Sequence, residues 1–224
     1  MIVYYGPHAS QVAEVFEPEG KVRGAAVLLH GGFWRDRYDR HLMDDLARDL
    51  ARRGWMASSL EYRRLGEGGG WPATLEDVEA GIRTIQGGHS LSVAPAVIGH
   101  SAGGQLALWV GARGLATHVV SQAGVTDLAQ AARLELSGGV VRELCPADAY
   151  ALASPIELLP LGVPQLLVHG EDDDTVPVEL SRAYHRAAVA AGDPADLVTL
   201  PGVGHYEHLD PASAAWRAVI EWLP

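Results

Sequence analysis

Residues 99–103 read Gly-His-Ser-Ala-Gly, and no other stretch limits the fold of the chain as tightly. The apolar run Ala96-Val97-Ile98 leads in, and Gln105-Leu106-Ala107-Leu108-Trp109-Val110 leads out. The first has the character of a buried strand and the second that of a helix. Small residues at Gly99 and Gly103 let strand and helix crowd against one sharp turn. The serine between them is then held with its hydroxyl exposed above a sheet. A five-residue pattern of this kind also arises by chance in a chain with 26 glycines. Its meaning depends on what the other segments bring to the same place.

Those segments alternate. Short alternating stretches, Val3-Tyr4-Tyr5 and Val12-Ala13-Glu14-Val15-Phe16, predict a small antiparallel entrance to a sheet, with a turn at Glu17-Pro18-Glu19-Gly20. Strands are then predicted over 24–30, 55–60, 96–98, 118–121, 164–170 and 196–200. Helices are predicted over 39–53, 74–86, 105–113, 178–191 and 211–223. Thr74-Leu75-Glu76-Asp77 resembles a capping box, and Pro211 suits a first helical position. Residues 124–162, punctuated by Pro146, Pro155 and Pro160 and followed by Pro164, read as an irregular excursion over the sheet, with short helices near 127–136 and 147–153. Strands that alternate with helices specify an α/β fold with a mostly parallel sheet. The 224 residues are expected to form one domain, 1–224.

Composition narrows the function classes. A net charge of −11 disfavours nucleic acid and anionic membrane as partners. No run approaches the roughly 18 apolar residues that would span a bilayer, and the N-terminus has no signal-peptide pattern. Cys145 is the single cysteine, so no intrachain disulfide can form and nothing near it marks an activated thiol. A cytoplasmic protein, monomer or homodimer, is expected. The glycine-rich stretch 66–70 lacks the Lys-Ser/Thr pair of a phosphate loop.

In a parallel sheet the loops after the strands gather on one edge. Four segments fall there: 30–34, 99–103, 169–177 and 202–205. A serine needs a nearby base, because un-ionised it is a weak nucleophile. His205, in a Gly-x-Gly-His loop, is the candidate, with His208 as its rival. An acid must then orient the imidazole, and Asp172, Asp173 and Asp174 lie on the preceding loop. His30, His100 and His169 each follow a buried strand and precede glycine, where a backbone hydrogen bond is a simpler expectation than zinc ligation. Neither metal nor cofactor is expected.

The order Ser, Asp, His on these loops, together with His30-Gly31-Gly32-Phe33-Trp34, resembles the α/β-hydrolase-fold serine esterases of the His-Gly-Gly-x-Trp branch. That branch includes small carboxylesterases and kynurenine formamidases. The resemblance runs from about residue 24 to the C-terminus. It implies an α/β-hydrolase fold with helices on both faces and a minimal lid or none. His169-Gly170, Asp173, Val176 and Pro177 match the acid pattern of these enzymes, which selects Asp173 while leaving its neighbours possible. The implied catalytic residues are Ser101, Asp173 and His205, with an oxyanion hole from the N–H groups of Gly32, Phe33 and Ala102. The implied reaction is cleavage of small carboxylic esters through an acyl-enzyme. Arylformamidase activity is the alternative, and a non-catalytic ligand receptor on the same scaffold a more distant one. Trp34 and Tyr206 are candidates for the substrate pocket, Trp109 is expected in the core, and Arg63 and Arg64 read as a solvated strand end, with binding of a substrate carboxylate as the alternative.

Overall fold

The computed structural model describes residues 1–18, 20–88 and 94–224. Its apolar runs pair edge to edge, because backbone N–H and C=O groups removed from water need partners. The strands are β1 (Ile2–Tyr4), β2 (Val12–Phe16), β3 (Gly24–Leu29), β4 (Trp55–Leu60), β5 (Ala96–His100), β6 (His118–Gln122), β7 (Gln165–Gly170) and β8 (Ala195–Leu200). They form one sheet in the order β1-β2-β4-β3-β5-β6-β7-β8. The first two are antiparallel additions, and every pair from β4 to β8 is parallel. Glu19, in the expected 17–20 turn, lies outside the described residues.

Alternate side chains of the central strands feed two cores. Val27, Val97, Val119 and Leu167 face one way. They meet Val78 and Ile82 of α2 (Ala73–Gly88), Leu106 and Val110 of α3 (Ala102–Ala112), and Tyr184 of α7 (Val178–Ala190). Leu28, Ile98, Val120 and Leu166 face the other way, against Leu46 and Leu50 of α1 (Asp44–Arg52) and Trp216 and Val219 of α8 (Ala214–Trp222). Two covered faces explain why these strands read as continuous apolar runs. Among the described residues no helix is long and apolar enough to cross a membrane.

The helix boundaries correct three expectations. The helix expected over 39–53 is preceded by a 3₁₀ turn, Arg40–Met43, capped by the Asp39 carboxylate, which accepts from His41 N–H. Thr74 lies inside α2. Its hydroxyl donates to Arg63 O and accepts from Gly70 N–H, so it fastens the preceding loop instead of forming a capping box. Pro211 precedes α8, whose cap is Ser213, accepting from Trp216 N–H at 3.0 Å. The excursion holds α4 (Leu128–Arg133), α5 (Leu136–Leu144) and α6 (Tyr150–Ala153). α5 has left-handed backbone at Ser137, Gly138 and Gly139, and that departure from helical spacing hid it from the sequence.

Candidate active site

Ser101 joins β5 to α3 with φ 56° and ψ −118°, a region that side-chain-bearing residues occupy only under constraint. The constraint is visible in the contacts of its neighbours. A Cβ on Gly99 would stand 1.9 Å from Gly103 O, and one on Gly103 would stand 2.1 Å from Leu29 O. Only glycine at both positions lets the turn close this tightly. Ser101 N–H donates to Gln122 O at 2.8 Å, which ties the turn to β6. The Ser101 hydroxyl is buried, where the sequence predicted it exposed, and among the described residues it has no hydrogen-bond partner. It borders a cleft shared with His100, His205 and Gly32.

The loop after β7 carries the carboxylates. Asp173 Oδ1 accepts from Thr175 N–H at 2.9 Å and Val176 N–H at 2.8 Å, and Oδ2 lies 2.7 Å from His205 Nδ1. Burial pushes the Asp173 carboxyl up, but hydrogen bonds from His169, His205 and Val176 N–H outweigh it and hold the group well below the usual carboxylate range. Asp172 and Asp174 are exposed. His205 arrives on the loop after β8. That loop passes so close to β7 that a Cβ on Gly170 would meet Val203 O at 2.0 Å. His100 Nε2 donates to His205 O at 2.9 Å, the only role open to it against a carbonyl, and so fastens the loop from below. His208 is fully buried, neither ring nitrogen has a partner among the described residues, and it does not line the cleft. Burial, with His169 and His205 beside it, pushes its imidazole down to about 3.

The loop after β3 closes the third side. His30 is fully buried, with Nε2 2.8 Å from Glu61 Oε1 and Nδ1 2.7 Å from Gly31 O, and its ring stacks on Tyr62 at 4.3 Å. The partnership with Glu61 was absent from the sequence reading. It follows from the parallel register Leu29↔Leu60, which sets the next two residues side by side. Beyond this anchor, Gly32, Phe33 and Trp34 all have positive φ: 106°, 51° and 57°. Among the described residues the N–H groups of Gly32, Phe33 and Ala102 have no backbone acceptor; Ala102 opens α3, where the first N–H groups are unpaired by geometry. Trp34 corrects the sequence expectation. It is fully buried and does not line the cleft. Its indole donates to Gln105 Oε1 at 3.2 Å, and Gln105 in turn donates to Ala153 O, so the ring braces the loop from behind. Trp109 lies in the core as expected.

Residues 61–223 match the prolyl oligopeptidase family. The chain belongs to that family. The match begins beyond the 30–34 loop and includes the segments that carry Ser101, Asp173 and His205. The fold is that of the α/β-hydrolases. A truncated carbohydrate esterase from gut microbiota superposes with a TM-score of 0.84 at 20% identity, covering 98% of this chain and 93% of that one. Esterase 2 of Thermogutta terrifontis, phosphonylated by sarin, gives 0.81 at 20% identity over 99% and 91%. An acetyl ester-xyloside bifunctional hydrolase from Caldicellulosiruptor lactoaceticus gives 0.78 at 22% over 95% and 89%. A search of curated protein sequences found no match.

In this member of the prolyl oligopeptidase family the cleft has a volume of about 320 Å³. Around the Ser101 and His205 centre its wall is made by Arg37, Tyr38, Leu42, Ser137, Tyr206 and Leu209. Tyr206 stands at the mouth, 60% exposed, edge-on to His205. Arg37 and Tyr38 were not anticipated; they sit in the loop behind Trp34, where no pattern marks them. Arg63 is bidentate to Asp77, and Arg64 pairs with Glu61 and Glu67, so neither arginine faces the cleft. Cys145 is buried, and its thiol is pushed up to about 11 by burial and Asp148. Among the described residues, the grouping of three ligand-type side chains within reach of one another is Glu14, His41 and Asp44. Arg40 already stands there, 2.6 Å from Glu14 and 3.7 Å from Asp44.

Proposed function

We propose that the chain hydrolyses small carboxylic esters through an acyl-enzyme. Ser101 Oγ attacks the ester carbonyl, and its proton passes to His205 Nε2. Asp173 holds the His205 tautomer through Nδ1–H and stabilises the imidazolium as it forms. The N–H groups of Ala102, Phe33 and Gly32 receive the developing oxyanion, a role in which one lost donor costs about 10²–10³ in turnover. Collapse of the tetrahedral intermediate expels the alcohol, which takes the proton from His205. Water then repeats the sequence and releases the acid.

The observation that carries this reading is the sharing of one cleft by a conformationally constrained Ser101, its hydroxyl without a partner among the described residues, and an imidazole bound to Asp173 at 2.7 Å. Three structures with the same fold are described as a carbohydrate esterase, an esterase phosphonylated by sarin and an acetyl ester-xyloside hydrolase, which favours ester over amide. The family name supplies peptide hydrolysis as the second reading. The test is a turnover panel of p-nitrophenyl acetate, butyrate and octanoate, N-formylkynurenine and a prolyl p-nitroanilide, run on wild type and Ser101→Ala. The short esters are expected to turn over fastest, and Ser101→Ala to lose activity by about 10⁴ or more. Turnover of the formamide or anilide ahead of every ester would overturn the substrate class. Ligand binding without any turnover would overturn the enzyme itself.

A further inference from the structure

Asp173 Oδ2 faces two imidazoles. Besides His205 Nδ1 at 2.7 Å, Nε2 of His169 lies 3.2 Å away. His169, the penultimate residue of β7, is fully buried. Its Nε2 is also 2.8 Å from Val176 O, and its Nδ1 is 2.7 Å from Ser181 Oγ in the first turn of α7. A carbonyl and a carboxylate can only accept, so Nε2 carries a hydrogen, and in the neutral ring Nδ1 accepts from the Ser181 hydroxyl. The ring therefore joins the end of β7, the Asp173 loop and the start of α7. On the far side of the carboxylate, Oδ1 is already held by two backbone N–H groups.

We infer that His169 is a positioning residue for the reaction proposed above, whose Nε2–H holds Asp173 Oδ2 toward His205 and divides the carboxylate's charge between two rings. The inference rests on the Ser101–His205–Asp173 reading. The titratable groups around Asp173, among the described residues, are the exposed Asp172 and Asp174 beside it in the loop, His169 at the end of β7, His205 and His208 on the loop after β8, and His100 at the end of β5. Of these, His169 and His205 touch the carboxylate. The Nε2–H has Val176 O as its nearer acceptor at 2.8 Å and Asp173 Oδ2 as its second at 3.2 Å, so the same hydrogen reaches both the loop backbone and the carboxylate.

The test compares His169→Leu, which fills space without a donor, with His169→Gln, whose side-chain amide can reach the place of Nε2–H. In His169→Leu, kcat falls about 10- to 100-fold, as for one lost hydrogen bond to a charged group, while KM stays within about twofold. The acid limb of the kcat/KM profile moves to higher pH, because an undivided Asp173 charge favours protonated His205. The downfield ¹H resonance of the His205 Nδ1 proton shifts. His169→Gln recovers most of kcat and returns both the limb and the resonance toward wild type. A folded His169→Leu with wild-type kcat, limb and resonance overturns the inference, as does His169→Gln displaced as far as His169→Leu. Should His169→Leu fail to fold, Ser181→Ala loosens the same ring from its other side. It must move limb and resonance in the same direction, and an unmoved pair overturns the inference. Reading the resonance in Ser101→Ala protein separates the two claims. If turnover survives in Ser101→Ala and the resonance still answers to residue 169, the reaction fails and the His169 contact stands.

Discussion

Asp173 is where the chemistry of single residues is most exposed to test. In the proposed reaction its carboxylate stays ionised and holds His205 in one tautomer. Asp173→Asn keeps the shape but presents an amide that favours the wrong tautomer, and kcat on p-nitrophenyl acetate is expected to fall about 10⁴-fold, with the circular dichroism spectrum unchanged. The same group contributes to stability. Its folded-state carboxyl titrates below its unfolded one, so the contribution is complete above about pH 4 and is lost as the pH falls below that. His208 has the same sign by a different route. Buried and pushed down to about 3, it stays neutral in the folded protein while the unfolded chain takes up a proton below about pH 6.5. Stability therefore falls between about pH 6.5 and 3, and His208→Leu should remove about one proton's slope from that window in urea titrations at stepped pH. A wild-type slope in His208→Leu would contradict the burial argument. Residue identity was only partly legible in advance. The resemblance favoured Asp173 among three consecutive aspartates, and the loop backbone, by donating Thr175 and Val176 N–H to Asp173, turns it inward while Asp172 and Asp174 stay exposed. Trp34 was misplaced because its neighbours Gly32 and Phe33 take positive φ, which reverses the direction in which the next side chain points.

At the scale of elements, the elbow is built by close approach. Gly99→Ala would set a methyl against Gly103 O, a backbone collision that no rotamer change relieves. We expect it to be destabilised by roughly 3 kcal/mol or more, or to fail to fold. Gly87→Ala is the matched control: it lies in the last turn of α2 with no atom of the described residues within 4 Å of the added carbon. It should raise stability by about 0.5–1 kcal/mol. Thermal unfolding of the pair separates a steric demand for glycine from a merely tolerated one; Gly99→Ala with a wild-type Tm would remove the elbow argument. The strands were legible because a sheet covered on both faces writes itself as apolar runs, as at Val97-Ile98 and Leu166-Leu167-Val168. Helix ends were less so, since Thr74 carries an end signal that its contacts with Arg63 and Gly70 put to another use, and Pro211 lies ahead of the Ser213 cap that starts α8. Leu136–Leu144 stayed hidden behind its left-handed first turn.

For the whole molecule, the fold leaves one question to the cleft, which is what reaches Ser101. The excursion over residues 124–162 contributes Ser137 to the rim and otherwise packs into the core through Val140, Val141 and Leu144. A cleft of about 320 Å³ suits small acyl groups. The expected pattern is a kcat/KM that peaks at acetyl to butyryl esters and shows no jump above the critical micelle concentration of longer ones. A steady rise with chain length, with interfacial activation, would contradict it. The parallel order of the sheet and the gathering of four loops on one edge were legible from alternation alone. The His30–Glu61 contact was not, because it depends on the register of β3 against β4, and the His169–Asp173 contact was not, because it depends on how the loop after β7 turns back on the strand end. The central claim is that Ser101 is a nucleophile activated by His205. A fluorophosphonate probe followed by peptide mass spectrometry tests it most directly. The account predicts a single adduct on Ser101 in wild type, strong suppression of the adduct in His205→Ala and none in Ser101→Ala; equal labelling of wild type and Ser101→Ala would contradict it.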